Sequence, residues 1–160
     1  MIKANIVLDK KIWEKKLKKP EIYFKKKLSK LSKFSQTKKK NQEFTVMLTN
    51  NKKMKDLNLK FRNKNVSTDV LSFPLKVKLK NKLYLGDIAI SFEIINRRSK
   101  SSSFDHELDK MWIHGYLHLL GHDHKKNKDY YLMNKRENLI FKKLNKINWN
   151  LFYKIKLIYI

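Results

Sequence analysis

Four of the five histidines in this 160-residue chain fall within the eleven-residue run HGYLHLLGHDH, from His114 to His124. His114 and His118 are four apart, and at 3.6 residues per turn that spacing puts both imidazoles on one face of a helix. Gly121 suits the left-handed conformation that ends a helix, so the chain can turn and bring His124 back to the same point. Three imidazole nitrogens around one ion, with a fourth position open, is the donor pattern of a catalytic zinc rather than a structural one. Such an ion acidifies a coordinated water toward a pKa of about 7 and so supplies a nucleophile at neutral pH. Affinity order also admits nickel or copper, so zinc is expected on availability and geometry. The competing reading is a histidine-rich helix end that holds no metal.

The elements that must carry these residues follow from periodicity. Ile2, Ala4, Ile6 and Leu8 alternate with their neighbours and predict a first strand. Ile12, Trp13 and Leu17 have helical spacing in a basic stretch broken by Pro20, and Glu21 to Phe34 reads as an amphipathic helix. Ser35 to Gln42 is polar and lysine-rich, a linker. Phe44 to Leu48 predicts a second strand, and Lys52 to Phe61 a helix with Met54, Leu57 and Phe61 on one side. Thr68 to Phe73 is a β-prone run closed by Pro74, which cannot continue a central strand. Leu83 to Ser91 is the strongest strand signal, and Gly86 within it hints at a bulge or a close backbone approach. A short helix over Glu93 to Arg98 and a serine-rich loop lead to a helix from about Asp105 to Leu120. That helix is apolar around much of its circumference, so it is expected to be central and buried. Asn127 to Leu144 predicts a last helix, and the tail from Trp149 to Ile160 fits a strand, a helix or an added clamp. Strands interleaved with helices argue for an α+β or α/β layered fold.

Composition narrows the setting. The length predicts one domain, spanning residues 1–160, with a real core. There are no cysteines, which excludes disulfides and thiolate zinc sites and leaves nitrogen and oxygen ligands. The start of the chain lacks a signal-peptide apolar region, and no apolar run approaches the ~20 residues that cross a bilayer. The expectation is a cytoplasmic protein without membrane contact. The net charge is +25, from 39 Lys+Arg against 14 Asp+Glu, and such a field draws polyanions, nucleic acid above all. Only Arg62, Arg97, Arg98 and Arg136 are arginines in a chain rich in Asn and Ile. AT-rich codon bias therefore offers a second origin for the charge.

The histidine spacing matches that of metzincin proteases, H-E-x-x-H-x-x-G-x-x-H, but Gly115 stands where their glutamate should be. Proteolysis by that route needs proton transfer at that position, so Gly115 argues against it unless another carboxylate substitutes in space. HGYLHLLGHDH, preceded by RNKNVSTDVLSFP and LGDIAIS, resembles the YbeY family of bacterial metal-dependent endoribonucleases, or rRNA maturation factors. The resemblance runs from roughly Phe44 to Leu144 and rests on three motifs in the family's order.

Membership of that family implies an α+β fold, with a central mixed β-sheet of about four strands packed with helices and a metal-binding central helix. It implies one zinc ion held at His114, His118 and His124, and a functional arginine at Arg62. It implies cleavage of single-stranded RNA, maturation of the 16S rRNA 3′ end, and ribosome quality control, with rRNA, the small ribosomal subunit and ribosomal proteins as partners. A metalloprotease-like hydrolase and a non-catalytic ribosome-assembly factor stand as alternatives. Two departures stand out. His122 occupies a place where the family usually has an aromatic residue, most often Tyr, and so competes to be the third ligand. The basic region 10–42 and the tail 149–160 match no motif.

Arg62 also has its own chemical case, since a guanidinium forks onto two phosphate oxygens and stays charged. Asp123 is either a turn residue or a group that orients a ligand histidine. Thr68, Asp69, Ser72 and Phe73 are expected to shape the strand and the cleft floor, with Asp87 similar. Met133 and Glu137 are expected to be structural, and Trp13, Trp112 and Trp149 to belong to the core.

Overall fold

The computed structural model describes residues 1–34, 41–124 and 127–145. The alternating N-terminal run forms strand β1 (Ile2–Leu8), and a 3-10 turn over Lys11–Lys15 leads to helix α1 (Pro20–Phe34). Strand β2 (Asn41–Thr49), helix α2 (Asn51–Arg62), strand β3 (Val70–Leu79) and strand β4 (Lys82–Ser91) follow. Helices α3 (Phe92–Arg98), α4 (Phe104–Leu120) and α5 (Asn127–Asn145) complete the described chain. The strands form one mixed sheet in the order β1-β2-β4-β3. β1, β2 and β4 run parallel, and β3 pairs antiparallel with β4. Parallel neighbours need crossover connections. Here α1 lies in the connection from β1 to β2, and α2 and β3 lie in that from β2 to β4. This is the α+β architecture with a four-stranded mixed sheet that the motifs imply.

The two faces of the sheet bury different residues, as the period-2 geometry of strands requires. Phe44, Val46 and Leu48 of β2, with Leu85, Ile88 and Ile90 of β4, pack into the main core beside Phe24 and Leu28 of α1 and Trp112, Ile113 and Tyr116 of α4. The opposite face holds a smaller cluster of Leu71, Ala89 and Met54, the last from α2. Trp13 is fully buried, and its indole N–H donates to the Thr49 carbonyl at 2.8 Å. Trp112 is fully buried too, while Trp149 lies outside the described residues.

A buried carboxylate ties three helices together. Asp109 of α4 accepts from the Tyr23 hydroxyl (2.7 Å), the Trp112 indole (2.8 Å) and the Lys27 ammonium (2.5 Å). Lys27 of α1 also donates to Asn145 of α5 at 2.7 Å. A buried charge is tolerated when it is paired and hydrogen-bonded in this way.

Several expectations change in three dimensions. The segment around Ile12 is a 3-10 turn rather than an α-helix, and Pro20 opens α1 instead of breaking a helix; a proline fits the first helical turn, where its missing N–H costs nothing. Asn41 and Gln42 belong to β2 and not to a linker, while 35–40 lie outside the described residues. Most instructive is Pro74. It does not end β3, which continues to Leu79. β3 is the edge of the sheet, where a residue without an N–H is admitted. Opposite Pro74 in the register sits Gly86, at φ 129°. A Cβ there would lie 2.1 Å from the Phe73 carbonyl oxygen, so the close approach hinted at by Gly86 is real. The pairing of β2 with β4 shifts register at the same level, between Glu43 and Thr45. No helix among the described residues is long and apolar enough to cross a membrane.

Candidate metal centre

Helix α4 carries the first two histidines across the sheet. Ser103 caps its start by accepting the His106 N–H at 3.2 Å. In the middle of α4, Gly115 lets the helix lie against β3 and β4: a Cβ at this position would stand 2.9 Å from Ile88 and 3.1 Å from the Ser72 hydroxyl. A glutamate at residue 115 would therefore point into the sheet. The metzincin glutamate would fit this helix only if the Ile88 and Ser72 side chains shifted.

The helix ends as its glycine predicts. Gly121 has φ 98°. Its N–H donates to the His118 carbonyl at 2.9 Å and the His122 N–H to the Leu117 carbonyl at 3.0 Å, the paired bonds of a Schellman turn. The Lys76 ammonium, from the irregular part of β3, donates to the last helical carbonyl, Leu120, at 3.3 Å. This turn carries the chain back beside α4. As a result, ligand atoms of His114, His118 and His124 all lie within 4.8 Å of one another.

Hydrogen bonds set the tautomers of the two helical ligands. His118 Nδ1 is 2.9 Å from the His122 carbonyl oxygen, which can only accept, so Nδ1 carries the proton. His114 Nδ1 is 2.7 Å from a Glu137 carboxylate oxygen and donates to it in the same way. Both Nε2 atoms are then left with lone pairs, and they face each other at 3.0 Å. Two lone pairs so close are unfavourable unless a shared proton or a metal ion lies between them. Tetrahedral zinc with bonds of about 2.0–2.1 Å separates its nitrogens by roughly 3.3 Å, close to this spacing. Burial, followed by the charge of His114, holds the His118 pKa below the usual imidazole value against the opposing bond to His122. The ring is thus neutral and ready to bind metal at neutral pH. The donor set fits a single divalent ion held by three nitrogens.

His122 goes elsewhere. Its Nε2 takes a hydrogen bond from the Arg136 guanidinium of α5 at 2.5 Å. Since arginine can only donate, that nitrogen is an acceptor. Burial and the charges of Arg136 and Lys76 push its pKa down as well. Its backbone serves the site by accepting from His118, and its ring anchors the turn to α5. Asp123 accepts the His124 N–H at 2.7 Å and so helps shape the turn. Arg62, the last residue of α2, reaches the same cleft: with Ser72 and Pro74 of β3 it faces His118 and His124 across a space of about 450 Å³. Asp69 instead pairs with Arg98 at 2.7 Å, and Asp87 accepts from the Tyr84 hydroxyl at 2.6 Å.

Glu137, read from the sequence as structural, is the contact to the histidine cluster that the sequence did not reveal. It sits on a different helix, 23 residues from His114, and only the packing of α5 on α4 brings them together. Its position one turn after Met133, which is buried and so marks the inward face of α5, was the available signal.

A mixed-sheet α+β protein whose central helix ends in a three-histidine cluster is built as a candidate metal-dependent hydrolase. The family model described as Endoribonuclease YbeY matches residues 8–145, and the chain belongs to that family, which bears the name of a hydrolase of RNA phosphodiester bonds. The Endoribonuclease YbeY of Pelagibacter ubique is 45% identical over 146 residues, covering 89% of this chain and 95% of that protein. The one from Buchnera aphidicola (subspecies Schizaphis graminum) is 40% identical over 114 residues, 68% of this chain and 71% of that protein. A Thermotoga maritima protein solved in solution superposes with a TM-score of 0.60 at 26% identity, covering 96% of this chain and 93% of that one. Because the family match begins at residue 8, the basic region 10–42 lies within the family's span although it carries none of the motifs.

Proposed function

We propose that this chain is a zinc-dependent endoribonuclease that cleaves single-stranded RNA, acting on the 16S rRNA 3′ end and in ribosome quality control in the cytoplasm, with the small ribosomal subunit and its proteins as partners. The observation that carries the reading is the pair of Nε2 lone pairs aimed at one point, 3.0 Å apart, with His124 beside them. Five side chains in and beside the cleft have tasks in hydrolysing a phosphodiester. His114, His118 and His124 hold the ion. Glu137 keeps His114 in the Nδ1–H tautomer and raises the basicity of its free nitrogen. When bound, zinc supplies Lewis-acid charge and lowers the pKa of a coordinated water toward about 7. Arg62 stands across the cleft, where its planar fork can hold two oxygens of the scissile phosphate. Negative charge builds on those oxygens as the water oxygen bonds to phosphorus and the bond to the leaving oxygen breaks, and a fixed guanidinium offsets it. The +25 net charge concentrates the polyanion around this cleft.

A labelled single-stranded RNA is the direct test. Cleavage is expected to stop on chelation and to return with zinc, while circular dichroism stays unchanged. Cleavage that persists in a protein shown by elemental analysis to hold no metal would overturn the reading, and peptide turnover without RNA turnover would move it to a protease. Within the cleft, Arg62→Ala is expected to lower kcat about a hundredfold, the scale for one lost charge-stabilising donor. Arg62→Lys should recover only part of that, because an ammonium cannot fork. Zinc content should match wild type in both. An Arg62→Ala protein with wild-type turnover would show that this arginine is a surface residue.

A further inference from the structure

The row of side chains that binds the metal does not stop at His114. His106, Lys110, His114 and His118 are each four residues apart, so they form one stripe along α4 at about 6 Å per step. On the far side of His114 this stripe opens into a pocket of about 270 Å³ between α4 and α5. The pocket shares His114 and Glu137 with the metal centre, so the two are separated only by the hydrogen-bonded pair itself.

We propose that this pocket receives a nucleobase of the RNA strand near the scissile phosphate, held in the corner between His106 and Phe141. The inference rests on the RNA-cleaving reading above and names a subsite for its substrate. Three features support it. The first is the rings: His106 and Phe141 meet edge to face, with centroids 4.8 Å apart and planes at 73°. Two rings nearly at right angles form a corner in which a planar base lies flat on one ring with its edge against the other. The second is polarity. Met111 and Ile113 give the pocket an apolar wall, and the Asn138 amide adds one donor and one acceptor for a base edge. The third is charge. Lys110 and Lys142 stand at the same pocket, Lys110 in only a long contact of 3.9 Å with Glu107. Stacking rings alternating with cations is the surface that binds single strands, with little sequence preference because every base has a π-face. A strand lying along the α4 stripe would place a phosphate at the metal and a base in the corner.

The test pairs protein variants with RNA that lacks one base. Phe141→Leu keeps apolar bulk and removes the ring; His106→Leu is the second variant, in case Phe141 proves necessary for folding. On intact RNA each variant is expected to lose about tenfold in kcat/KM, mostly through KM, within the range for one lost stack. Wild type should lose a similar factor when the base is missing at one fixed distance from the cut, and at no other distance. On that abasic RNA the variants should be no worse than wild type, since the same contact cannot be lost twice. Equal losses for the variants on intact and abasic RNA would overturn the subsite while leaving the nuclease intact. A wild-type protein that cleaves neither RNA would remove the reading beneath it. An independent readout is 2-aminopurine placed at the sensitive position. Its fluorescence should be quenched on binding the metal-free protein and unquenched with Phe141→Leu; equal fluorescence in the two would also refute the subsite.

Discussion

Replacing His114 with alanine is expected to remove the bound ion and to lower RNA cleavage at least about a thousandfold, which corresponds to about 4 kcal/mol of transition-state stabilisation. Three nitrogens fill all but one vertex of a tetrahedral ion, and that vertex stays open to solvent. With two, the ion is held too weakly and too loosely to act on a fixed phosphate. The fold should survive, because the ring is only half-buried and the helix packs through Trp112, Ile113 and Tyr116. Elemental analysis, circular dichroism and an RNA assay on the same preparation check all three points. The companion variants make the result specific. His122→Ala should keep its ion, since that ring is turned to Arg136. Glu137→Ala should weaken metal binding by about 10–100-fold without abolishing it, the usual cost of losing a partner that orients a ligand. A His114→Ala protein that keeps one tightly bound zinc and normal turnover would remove the metal centre as the origin of activity. An ion lost from His122→Ala but retained in His124→Ala would exchange the third ligand.

Gly86→Ala is expected to cost at least about 3 kcal/mol of stability, or a fall in Tm of very roughly 10 °C for a chain of this size. Two penalties combine. A φ of 129° is a conformation that residues with a Cβ rarely adopt, and the added carbon would sit 2.1 Å from the carbonyl oxygen of Phe73. That oxygen is backbone in the paired strand and cannot swing aside, so relief requires β3 to separate from β4. The damage would reach the cleft, because Ser72 and Pro74 of β3 line it. Gly121→Ala offers a graded comparison. Its φ of 98° is also strained for alanine, but the atom nearest its Cβ, at 2.8 Å, is the flexible end of Lys76. That substitution should cost about 1–2 kcal/mol, chiefly as backbone strain. Thermal melts of both variants decide the matter: a Gly86→Ala protein melting within a few degrees of wild type would show that β3 is free to move.

These two positions differ in how they could be read. His114, His118 and Gly121 announce themselves by local spacing alone, because a helix and its terminating turn are governed by neighbours within five residues. The same holds for β1 and for the capped start of α4, and the central burial of α4 follows from its apolar circumference. The direction in which His122 and His124 point was not legible in that way. Both follow the same glycine, and the choice between them depends on Arg136, which approaches from α5. Glu137 escaped for the same reason.

What the amino-acid order determined by itself was a supply of clustered imidazole nitrogens without any thiol, together with the periodic elements that present them. What only the tertiary structure decided was the pairing of groups distant along the chain. Pro74 could remain in a strand because β3 lies at the sheet edge. Gly115 was required because α4 rests on Ile88. Arg62 faces the histidines because α2 ends at their cleft. Local conformation depends on short-range sterics and hydrogen bonds, which a stretch of sequence carries with it. Contacts between elements depend on which faces the whole core buries against one another, and that is a property of the packed chain.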